Sequence, residues 1–306
     1  MDAARHIVSE IDFTRLDHLD NDTFFASPGY ASLWGSTGGQ PVVWLGSEAG
    51  RPVAALLGVE FGRGPLCRFQ AMPDGTYARL RLAPGIDRKA AARALLKAVA
   101  DHGYLKVHLT DFGSCLPDGC GFRTLDRATE IVAISAEDWQ PPDKKLVAQI
   151  AQAERQGITV EPFQAERHLG TFLDLMQRTE QRHDRRPRYP EPFFRALADL
   201  AQRDRRVRWL WCEHEGRPAA SHLLLAESDQ LLSWQTYFDK ALSFLKPNQY
   251  ILFTAARAAA AEGMRYLNLG ASPEGAEGLT AYKRRWGGQT HRYRVLVRTS
   301  WLGRLL

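Results

Sequence analysis

The residues of this chain best suited to chemistry lie together in the stretch AYKRRWGG at 281–288. Lys283 offers an ammonium that can stabilise negative charge, an interaction worth roughly 3 kcal/mol in a partly dry site. Arg284 and Arg285 suit contacts with phosphate. The alternative is a solvated turn that follows the predicted loop NLGASPEGAEGL at 268–279 and enters a strand, with all three cations facing water.

A second group of candidate residues lies on a predicted strand that precedes a helix beginning with Pro-Asn. Tyr237 and Asp239 stand at the end of this strand, where we expect them to orient or deprotonate a ligand. Trp234, on the same strand, is expected either to pack in the core or to line a groove. Upstream, the segment QRHDRRPRYP supplies three further candidates for phosphate contacts, Arg185, Arg186 and Arg188.

The charge of the chain is concentrated in its second half. The net charge is +5 over 306 residues, but residues 1–142 carry 14 Lys plus Arg against 17 Asp plus Glu, and residues 143–306 carry 26 against 18. An anionic partner is therefore expected in the second half. Nucleic acid, a nucleotide-bearing metabolite and an anionic membrane surface all match this charge.

Several protein classes are excluded by composition and motifs. The 44% hydrophobic content predicts a folded globular chain. Four scattered cysteines form no disulfide framework and no metal-ligand spacing, so we expect reduced thiols, a cytoplasmic protein and no metal. No stretch approaches the roughly 20 apolar residues of a membrane-spanning helix, and we expect no signal peptide. Neither a Gly-x-Ser-x-Gly nucleophile motif nor a phosphate-binding P-loop is present.

The two halves of the chain repeat one pattern in the same order. VVWLGSEAGRPVAALL at 42–57 and VRWLWCEHEGRPAASHLLL at 207–225 each predict a β-hairpin. Segments 87–113 and 248–272 each predict an alanine-rich helix that ends at a glycine and leads into a strand. Segments 121–135 and 286–300 then predict a closing strand. The chain is therefore predicted to be α/β, with two tandem units, each a mixed, mainly antiparallel sheet flanked by helices.

The proline-rich segment SAEDWQPPDKK at 135–145 is predicted to link the copies, which places the domain boundary between 138 and 139. Comparison of the copies shows which residues the fold does not need. The first copy has HLTDFGSCLPDGCGFRT where the second has the loop and the cationic run, and no lysine or arginine stands at the matching place. Lys283 and its neighbours are thus candidates for function.

The second copy resembles the FemAB/FemX peptidyltransferases, a family that pairs two GNAT folds. The segments that carry the resemblance are PNQYILFTAARAAAAEGMRYLNLG and GLTAYKRRWGG. The matching positions are Pro247-Asn248, Gly263, Gly270, Gly278-Leu279, Tyr282-Lys283 and Trp286-Gly287. The resemblance covers nearly the whole chain and implies GNAT-like units at 1–138 and 139–306.

This resemblance implies transfer of an amino acid from aminoacyl-tRNA to the amine of a cell-wall precursor, whereas related GNAT enzymes use acyl-CoA. It places Lys283 at the reacting centre and Asn248, Tyr282 and Trp286 among the residues that bind substrate. It implies no bound cofactor, with aminoacyl-tRNA as the donor substrate. A lysine that only pairs with tRNA or substrate phosphate also fits this position.

Two departures from the family bear on the substrates. The segments RLAPGIDRKAA and ALSFLKPNQYI stand where GNAT enzymes carry a glycine-rich pyrophosphate loop, and neither is glycine-rich, which disfavours CoA. The segment SPGYASLWGSTGG has no lysine to bind the phosphates of a cell-wall precursor. We therefore expect either a small-molecule amine or a cell-wall precursor as the acceptor. Three functions stay open: an aminoacyl-tRNA-dependent transferase, an acyl-CoA N-acyltransferase of polysaccharide or secondary metabolism, and a non-catalytic module that binds RNA or an anionic membrane surface.

Overall fold

The computed structural model describes residues 1–20, 23–73, 75–77, 79–113, 115–134, 138–182, 184–273 and 275–305. The first three residues of the predicted linker, 135–137, lie outside this set. By internal contacts the chain forms two compact units. Unit 1 comprises Met1–Arg127 and Arg292–Leu306, and unit 2 comprises Ala128–His291.

Strands and helices follow one another along the chain in the order that the repeat predicts. The strands are β1 Asp2–Ile7, β2 Gly39–Glu48, β3 Arg51–Phe61, β4 Arg68–Ala71, β5 Arg81–Leu82, β6 Lys106–Asp111, β7 Arg123–Ala133, β8 Ile158–Pro162, β9 Val207–His214, β10 Arg217–Glu227, β11 Gln230–Phe238, β12 Tyr266–Asn268 and β13 Gln289–Thr299. The helices are α1 Pro28–Ser32, α2 Arg88–Asp101, α3 Lys144–Arg155, α4 Ala165–Arg182, α5 Glu191–Arg203, α6 Pro247–Ala261, α7 Glu277–Arg285 and α8 Trp301–Leu305.

Both predicted hairpins are confirmed, and both use the same turn. Ala49 and Gly50 join β2 to β3 with φ of 47° and 77°, and Glu215 and Gly216 join β9 to β10 with φ of 51° and 71°. Two successive left-handed residues make a type I′ turn, whose twist matches that of the paired strands. Glycine at the second position lowers the cost of this conformation.

Unit 1 is a mixed, mainly antiparallel sheet covered by helix α2. Its strands follow the order β1-β2-β3-β4-β6-β13, with β5 beside β3, and the pair β4 and β6 is parallel. One stripe of α2, formed by Ala91, Leu95 and Val99, packs on buried strand residues such as Trp44 and Phe69. This spacing of three to four residues per turn is the amphipathic pattern that buries one face of a helix.

Unit 2 repeats this arrangement with the order β7-β12-β11-β10-β9-β8, in which the β11 and β12 pair is parallel. Helices α3 and α6 pack on one face, where Leu146 and Leu252 join a core with Leu224. Helices α4 and α5 cover the other face, where Phe172 and Phe194 contact Trp209. Among the helices of the described residues, none is long and apolar enough to cross a membrane.

The closing strand of each copy pairs in the unit built mainly from the other copy. In β7, Ile131–Ala133 pairs with β12, and in β13, Arg294–Thr299 pairs with β6. The sequence placed 286–300 in the second copy with a boundary after 138, whereas the contacts divide the chain after Arg127 and after His291. The two strands carry similar alternating patterns, and such a pattern does not determine which sheet a strand joins.

The pairing of β13 with β6 predicts that the stability of unit 1 depends on β13. Leu296 is 1% exposed and lies in the core of unit 1. We expect Leu296→Ala to lower the free energy of unfolding by about 3 kcal/mol, because it leaves a cavity there. Hydrogen exchange should then accelerate in Met1–Arg127 while Ala128–His291 keeps its protection. In the matched variant Leu267→Ala, in β12, hydrogen exchange should accelerate in unit 2. Acceleration in unit 2 for Leu296→Ala and in unit 1 for Leu267→Ala would contradict this assignment of the closing strands.

Candidate functional site

The candidate site is a wedge in the sheet of unit 2 between β11 and the chain that follows β12. The parallel pairing of these strands covers only Gln230–Leu232 against Tyr266–Asn268, although β11 continues to Phe238. Beyond β12 the backbone stays with β7: Leu269 N donates to Glu130 O at 2.8 Å, and Glu130 N donates to Gly270 O at 3.4 Å. Among the described residues, the edge of β11 that faces β12 is therefore unpaired from Ser233 onward.

A β-bulge marks the point of opening. Along β10, Leu224 pairs with Ser233 and Leu223 pairs with Gln235, so Trp234 is an extra residue in β11. A bulge bends its strand and increases the local twist, which here directs the rest of β11 away from β12. Gly270 forms the opposite wall, where a Cβ atom would stand 3.7 Å from the carbonyl oxygen of Ser233.

Lys283 reaches the wedge from helix α7 and is buried. Its side chain is 4% exposed, and Nζ donates to Gly270 O at 2.7 Å and to Ala271 O at 2.9 Å. These two bonds hold the loop after β12 in place and leave the third proton of an ammonium for another acceptor. Burial lowers the pKa of Lys283 to about 8, and Glu130 acts against this shift. The amine is thus a weaker base than an ordinary lysine.

The rest of the cationic stretch is explained by the end of α7. The predicted loop extended to residue 279, but the helix already begins at Glu277, so the interpretation as a solvated turn is wrong for Lys283. Gly287, with φ of 87°, ends the helix, and its N–H donates to Arg284 O at 2.9 Å. At Gly288 a Cβ would lie 2.8 Å from Lys283 O, so the close approach of the two segments requires glycine.

Three neighbours of Lys283 on the predicted site have packing or pairing roles. Trp286 is fully buried and stacks on Trp139 at 6.4 Å between ring centroids. Tyr282 packs against the same core, and burial raises its pKa to about 12. Arg285 pairs with Asp143 at 3.1 Å, the residue that caps helix α3. Their predicted contacts with substrate or phosphate stay predictions.

The structure places the other predicted residues of the second copy around β11. Tyr237 is 5% exposed, and its hydroxyl donates to Gln235 Oε1 at 2.8 Å. Burial and the nearby Glu180 raise the pKa of Tyr237, so the phenol is a donor and not a base. Asp239 accepts from Ala241 N at 2.9 Å and caps a short 3₁₀ helix, which ties its carboxylate to the backbone. Its role as a base stays a prediction.

Trp234 and Asn248 line the two faces of β11. The ring of Trp234 lies 5.8 Å from Tyr189 and 6.1 Å from Phe193 on the α5 side, which supports a packed position at the bulge. Asn248, in the first turn of α6, accepts from Thr236 Oγ1 at 3.2 Å on the opposite side.

The arginines between α4 and α5 are exposed and lie near Tyr237. Arg185 pairs with Glu180 at 3.0 Å, and the charges of Arg185 and Arg188 both act on the pKa of Tyr237. Arg186 and Arg284 are exposed, and neither forms an ion pair with a residue in the described part of the chain. Their charge is available to an anionic ligand.

Sequence reasoning missed a polar pair at the bulge. His222 is 2% exposed, and its Nε2 lies 2.8 Å from Ser233 Oγ, whereas its Nδ1 has no hydrogen-bond partner. Burial lowers the pKa of His222 to about 4, so the ring is neutral. We assign the proton to Nε2, because a buried N–H without a partner costs more than a lone pair without one. Ser233 then accepts from His222 and keeps its own hydroxyl proton for a ligand.

Glu130 was also missed, because it precedes the second copy in sequence. It is 6% exposed, its Oε1 accepts from Thr290 Oγ1 at 2.8 Å, and its Oε2 has no partner in the described residues. A buried carboxylate near Lys283 supplies the negative charge that helps to retain the ammonium. Only the comparison of both copies around β7 could have indicated it.

The N-terminus of α6 has few free backbone N–H groups to bind a pyrophosphate. Lys246 N donates to Ser243 O, Pro247 has no N–H, and Gln249 N donates to Lys246 O. Asn248 therefore has the one N–H left without a backbone acceptor among residues 246–249, whereas anion sites at helix N-termini use several.

One group of three possible metal ligands occurs in the described ranges: Glu161, His168 and Glu213. Its chemistry does not suit a cation. Gln164 N donates to His168 Nδ1 at 3.0 Å, so Nε2 carries the proton and faces Glu161 at 3.1 Å. Arg167 already pairs with both carboxylates, at 3.0 and 3.4 Å.

Comparison with known proteins places this geometry in a known fold. Residues 144–284, which run from the start of α3 into α7 and include Lys283, match the family model of the acetyltransferase (GNAT) domain. The fold is that of a FemX-like tandem GNAT protein. The crystal structure of FemX is similar to this chain with a TM-score of 0.71 and 14% identity, over 96% of this chain and 97% of that one.

Two other solved structures are similar over nearly their whole length. The L-PGS of Bacillus licheniformis matches with a TM-score of 0.63 and 14% identity, over 95% of each chain. A tandem GNAT protein from the clavulanic acid biosynthesis pathway matches with a TM-score of 0.56 and 15% identity, over 97% of this chain and 98% of that one. No curated protein sequence matches the chain.

The buried position of Lys283 predicts a pH-dependent contribution to the stability of the GNAT domain. The pKa in the folded chain is about 8 and the ordinary value is 10.5, so the unfolded chain binds more protons between these values and stability rises with pH there. We expect the free energy of unfolding of wild type to rise by about 2 kcal/mol relative to that of Lys283→Met as pH rises from about 8 to about 10. Urea unfolding at several pH values measures the difference, and a constant difference would contradict it.

Proposed function

We propose that this chain is an acyltransferase that moves an aminoacyl group from aminoacyl-tRNA to an amine and forms an amide. The observation that carries the proposal is the buried Lys283 beside the wedge between β11 and the chain after β12, within a GNAT domain. The wedge offers an unpaired strand edge and two side-chain donors to a carbonyl group. A carbonyl placed there would meet donors that are already oriented.

The chemistry needs a stabilised oxyanion more than a strong base. The nitrogen of the acceptor amine attacks the ester carbonyl, a C–N bond forms, and the electron pair of the C=O bond moves to oxygen. The third proton of the Lys283 ammonium and the hydroxyl of Ser233 stabilise this oxyanion from the two walls of the wedge. The C–O bond to the ribose then breaks, and the ribose oxygen takes a proton.

The proton balance uses Lys283 as well. The attacking nitrogen loses a proton as the ribose oxygen gains one, and a group whose pKa is about 8 can pass a proton in either direction near neutral pH. Tyr237 donates to Gln235 on the open part of β11 and fixes the orientation of that amide. The neutral His222 acts through Ser233, because it fixes the direction of that hydroxyl.

An RNA donor is favoured by the positive charge of the second half of the chain and by the scarcity of free N–H groups at the N-terminus of α6. The second half of the chain carries 26 Lys plus Arg against 18 Asp plus Glu, and Arg186 and Arg284 are exposed. The single N–H left at residues 246–249 disfavours the pyrophosphate of CoA. A structural relative with a TM-score of 0.62 is the C-terminal domain of an Agrobacterium fabrum protein named as a lysylphosphatidylglycerol synthetase, and this name also denotes attachment of an aminoacyl group.

An acyl-CoA donor is the second candidate. It is favoured by the tandem GNAT protein of the clavulanic acid pathway, whose description refers to AcCoA. In that case the same wedge would hold the thioester, and Lys283 would have the same role.

One experiment separates the donors. The protein is offered tRNA charged with radiolabelled amino acids, or labelled acetyl-CoA, together with amines that include a cell-wall precursor and small polyamines. Labelled amide that forms from charged tRNA and is lost after RNase treatment supports the proposal. Amide that forms from acetyl-CoA and resists RNase establishes the second candidate, and no amide from either donor contradicts an acyltransferase.

Substitutions at the two proposed oxyanion donors should lower turnover to different extents. We expect Lys283→Met to lower kcat by about 100-fold to 1,000-fold and Ser233→Ala by about tenfold, because a charged donor is worth more than a neutral one. Single-turnover rates with the accepted donor measure the effects. Leu279→Ala, at an exposed position of α7, is the matched control and should keep the wild-type rate. Wild-type turnover in Lys283→Met would contradict the mechanism.

The exposed arginines predict a salt-dependent affinity for tRNA. Arg186→Ala should weaken binding and reduce the slope of log K against log salt by about one, because one phosphate contact is lost. Filter binding at several salt concentrations measures this slope. Arg217→Ala, at the exposed turn between β9 and β10, is the control and should leave the slope unchanged. Equal effects of the two substitutions would show that Arg186 makes no specific contact.

A further inference from the structure

Unit 1 exposes three large apolar side chains at one end of its sheet. Trp301 and Leu305 are each 75% exposed, and Leu66 is 53% exposed. We call these residues the Trp301 patch. Of the eight tryptophans in the chain, Trp301 is the one with a largely exposed side chain. Large exposed apolar groups in a cluster mark an interaction surface more often than isolated ones do.

Leu105 brings the two parts of the patch together. Its N–H donates to Cys67 O at 2.7 Å, beside Leu66, and its carbonyl accepts from Ser300 N at 2.9 Å, beside Trp301. In helix α8, Trp301 and Leu305 are four residues apart and therefore share a face. The two exposed segments thus flank one residue of the sheet end.

The exposure of Trp301 follows from how α8 is held. Gly303 approaches the sheet so closely that a Cβ atom would lie 2.7 Å from Leu105 O and 3.3 Å from Leu105 Cδ1. Ser300 Oγ accepts from Gly303 N at 3.1 Å and closes the first turn. The helix therefore docks through its glycine, and its apolar face points to solvent.

Exposed cations adjoin the patch in sequence and in strand register. Arg63 and Arg68 flank Leu66 in sequence, Lys106 pairs in register with Arg68, and Arg304 lies on α8 between the two apolar residues. In the described part of the chain, none of these four forms an ion pair, whereas Arg5 and Arg294 of unit 1 do. Their charge is available to an anionic surface.

We propose that the Trp301 patch binds the surface of a bilayer that contains anionic phospholipid. Tryptophan prefers the interface between water and acyl chains, where its ring is apolar and its N–H stays hydrated. Leucine side chains at the same level add buried apolar area, and each nearby Lys or Arg adds about 1 kcal/mol of attraction to anionic headgroups. The patch combines all three features at one end of the unit.

The size of the patch favours a membrane over a protein partner. Three side chains expose on the order of a few hundred Å², whereas a stable protein interface buries roughly 800 Å² per partner. Shallow insertion of one tryptophan and two leucines needs no larger area. The proposal is independent of the acyltransferase chemistry, which lies in unit 2.

Vesicle binding of the full chain tests the apolar part of the proposal. The protein should sediment with phosphatidylcholine vesicles that contain phosphatidylglycerol and not with phosphatidylcholine alone. Brominated lipid should quench tryptophan fluorescence. We expect Trp301→Ser to lower partitioning at least tenfold, and Trp301→Phe to retain most binding while the quenching is lost. Phe244→Ser, which changes a 59% exposed residue of unit 2, is the matched control and should bind as wild type does.

The charged part is tested in the same assay. Lys106→Gln and Arg304→Gln should each lower partitioning about fivefold, the equivalent of one cation near the surface. Arg51→Gln, at the turn between β2 and β3, should have no effect. Equal binding to both vesicle types, or equal losses in Phe244→Ser and Trp301→Ser, would overturn the proposal. Concentration-dependent dimerisation that Trp301→Ser abolishes would also overturn it, because a second copy would then occupy the patch.

Discussion

The candidate site depends on one choice of backbone hydrogen bonds after Asn268. The chain can continue beside β11 or beside β7, and Leu269 and Gly270 bond to Glu130 of β7. The edge of β11 from Ser233 onward is left open, and the bulge at Trp234 widens the opening. Lys283 then fixes the diverging loop through Gly270 and Ala271. Without this divergence the sheet would be continuous, and no carbonyl group could enter it.

The same lysine has a structural role and a proposed chemical one, and the two are compatible. Two of its protons hold backbone carbonyls, which orients Nζ and restricts its motion before any ligand arrives. Its depressed pKa is the cost of this position, because burial destabilises the charged form. Glu130 limits the cost. A site of this kind is preorganised by the fold, since the groups that fix the lysine are main-chain atoms.

Much of the fold could be predicted because its signals are local. The hairpins follow from Gly-Arg-Pro turns, and the helices from alanine-rich stripes that end at glycine. The partner of the closing strands could not be predicted, because β7 and β13 have similar patterns and pairing is decided by residues far away in sequence. Lys283 emerged from the contrast between the copies. The role of Arg285 as the partner of a capping residue, the role of Asp239 as a cap, and the pair His222 and Ser233 at a bulge have no sequence signal of their own.

The exchange of closing strands has a consequence for how the chain folds. Strand β6 ends at Asp111 and its partner segment in β13 begins at Arg294, so unit 1 lacks one strand of its sheet until residues 294–299 have been synthesised. Contacts between residues so distant in sequence slow folding, because a long loop must close before they form. Unit 1 therefore completes its sheet only after the segment between Asp111 and Arg294, which includes the whole of unit 2, has been synthesised.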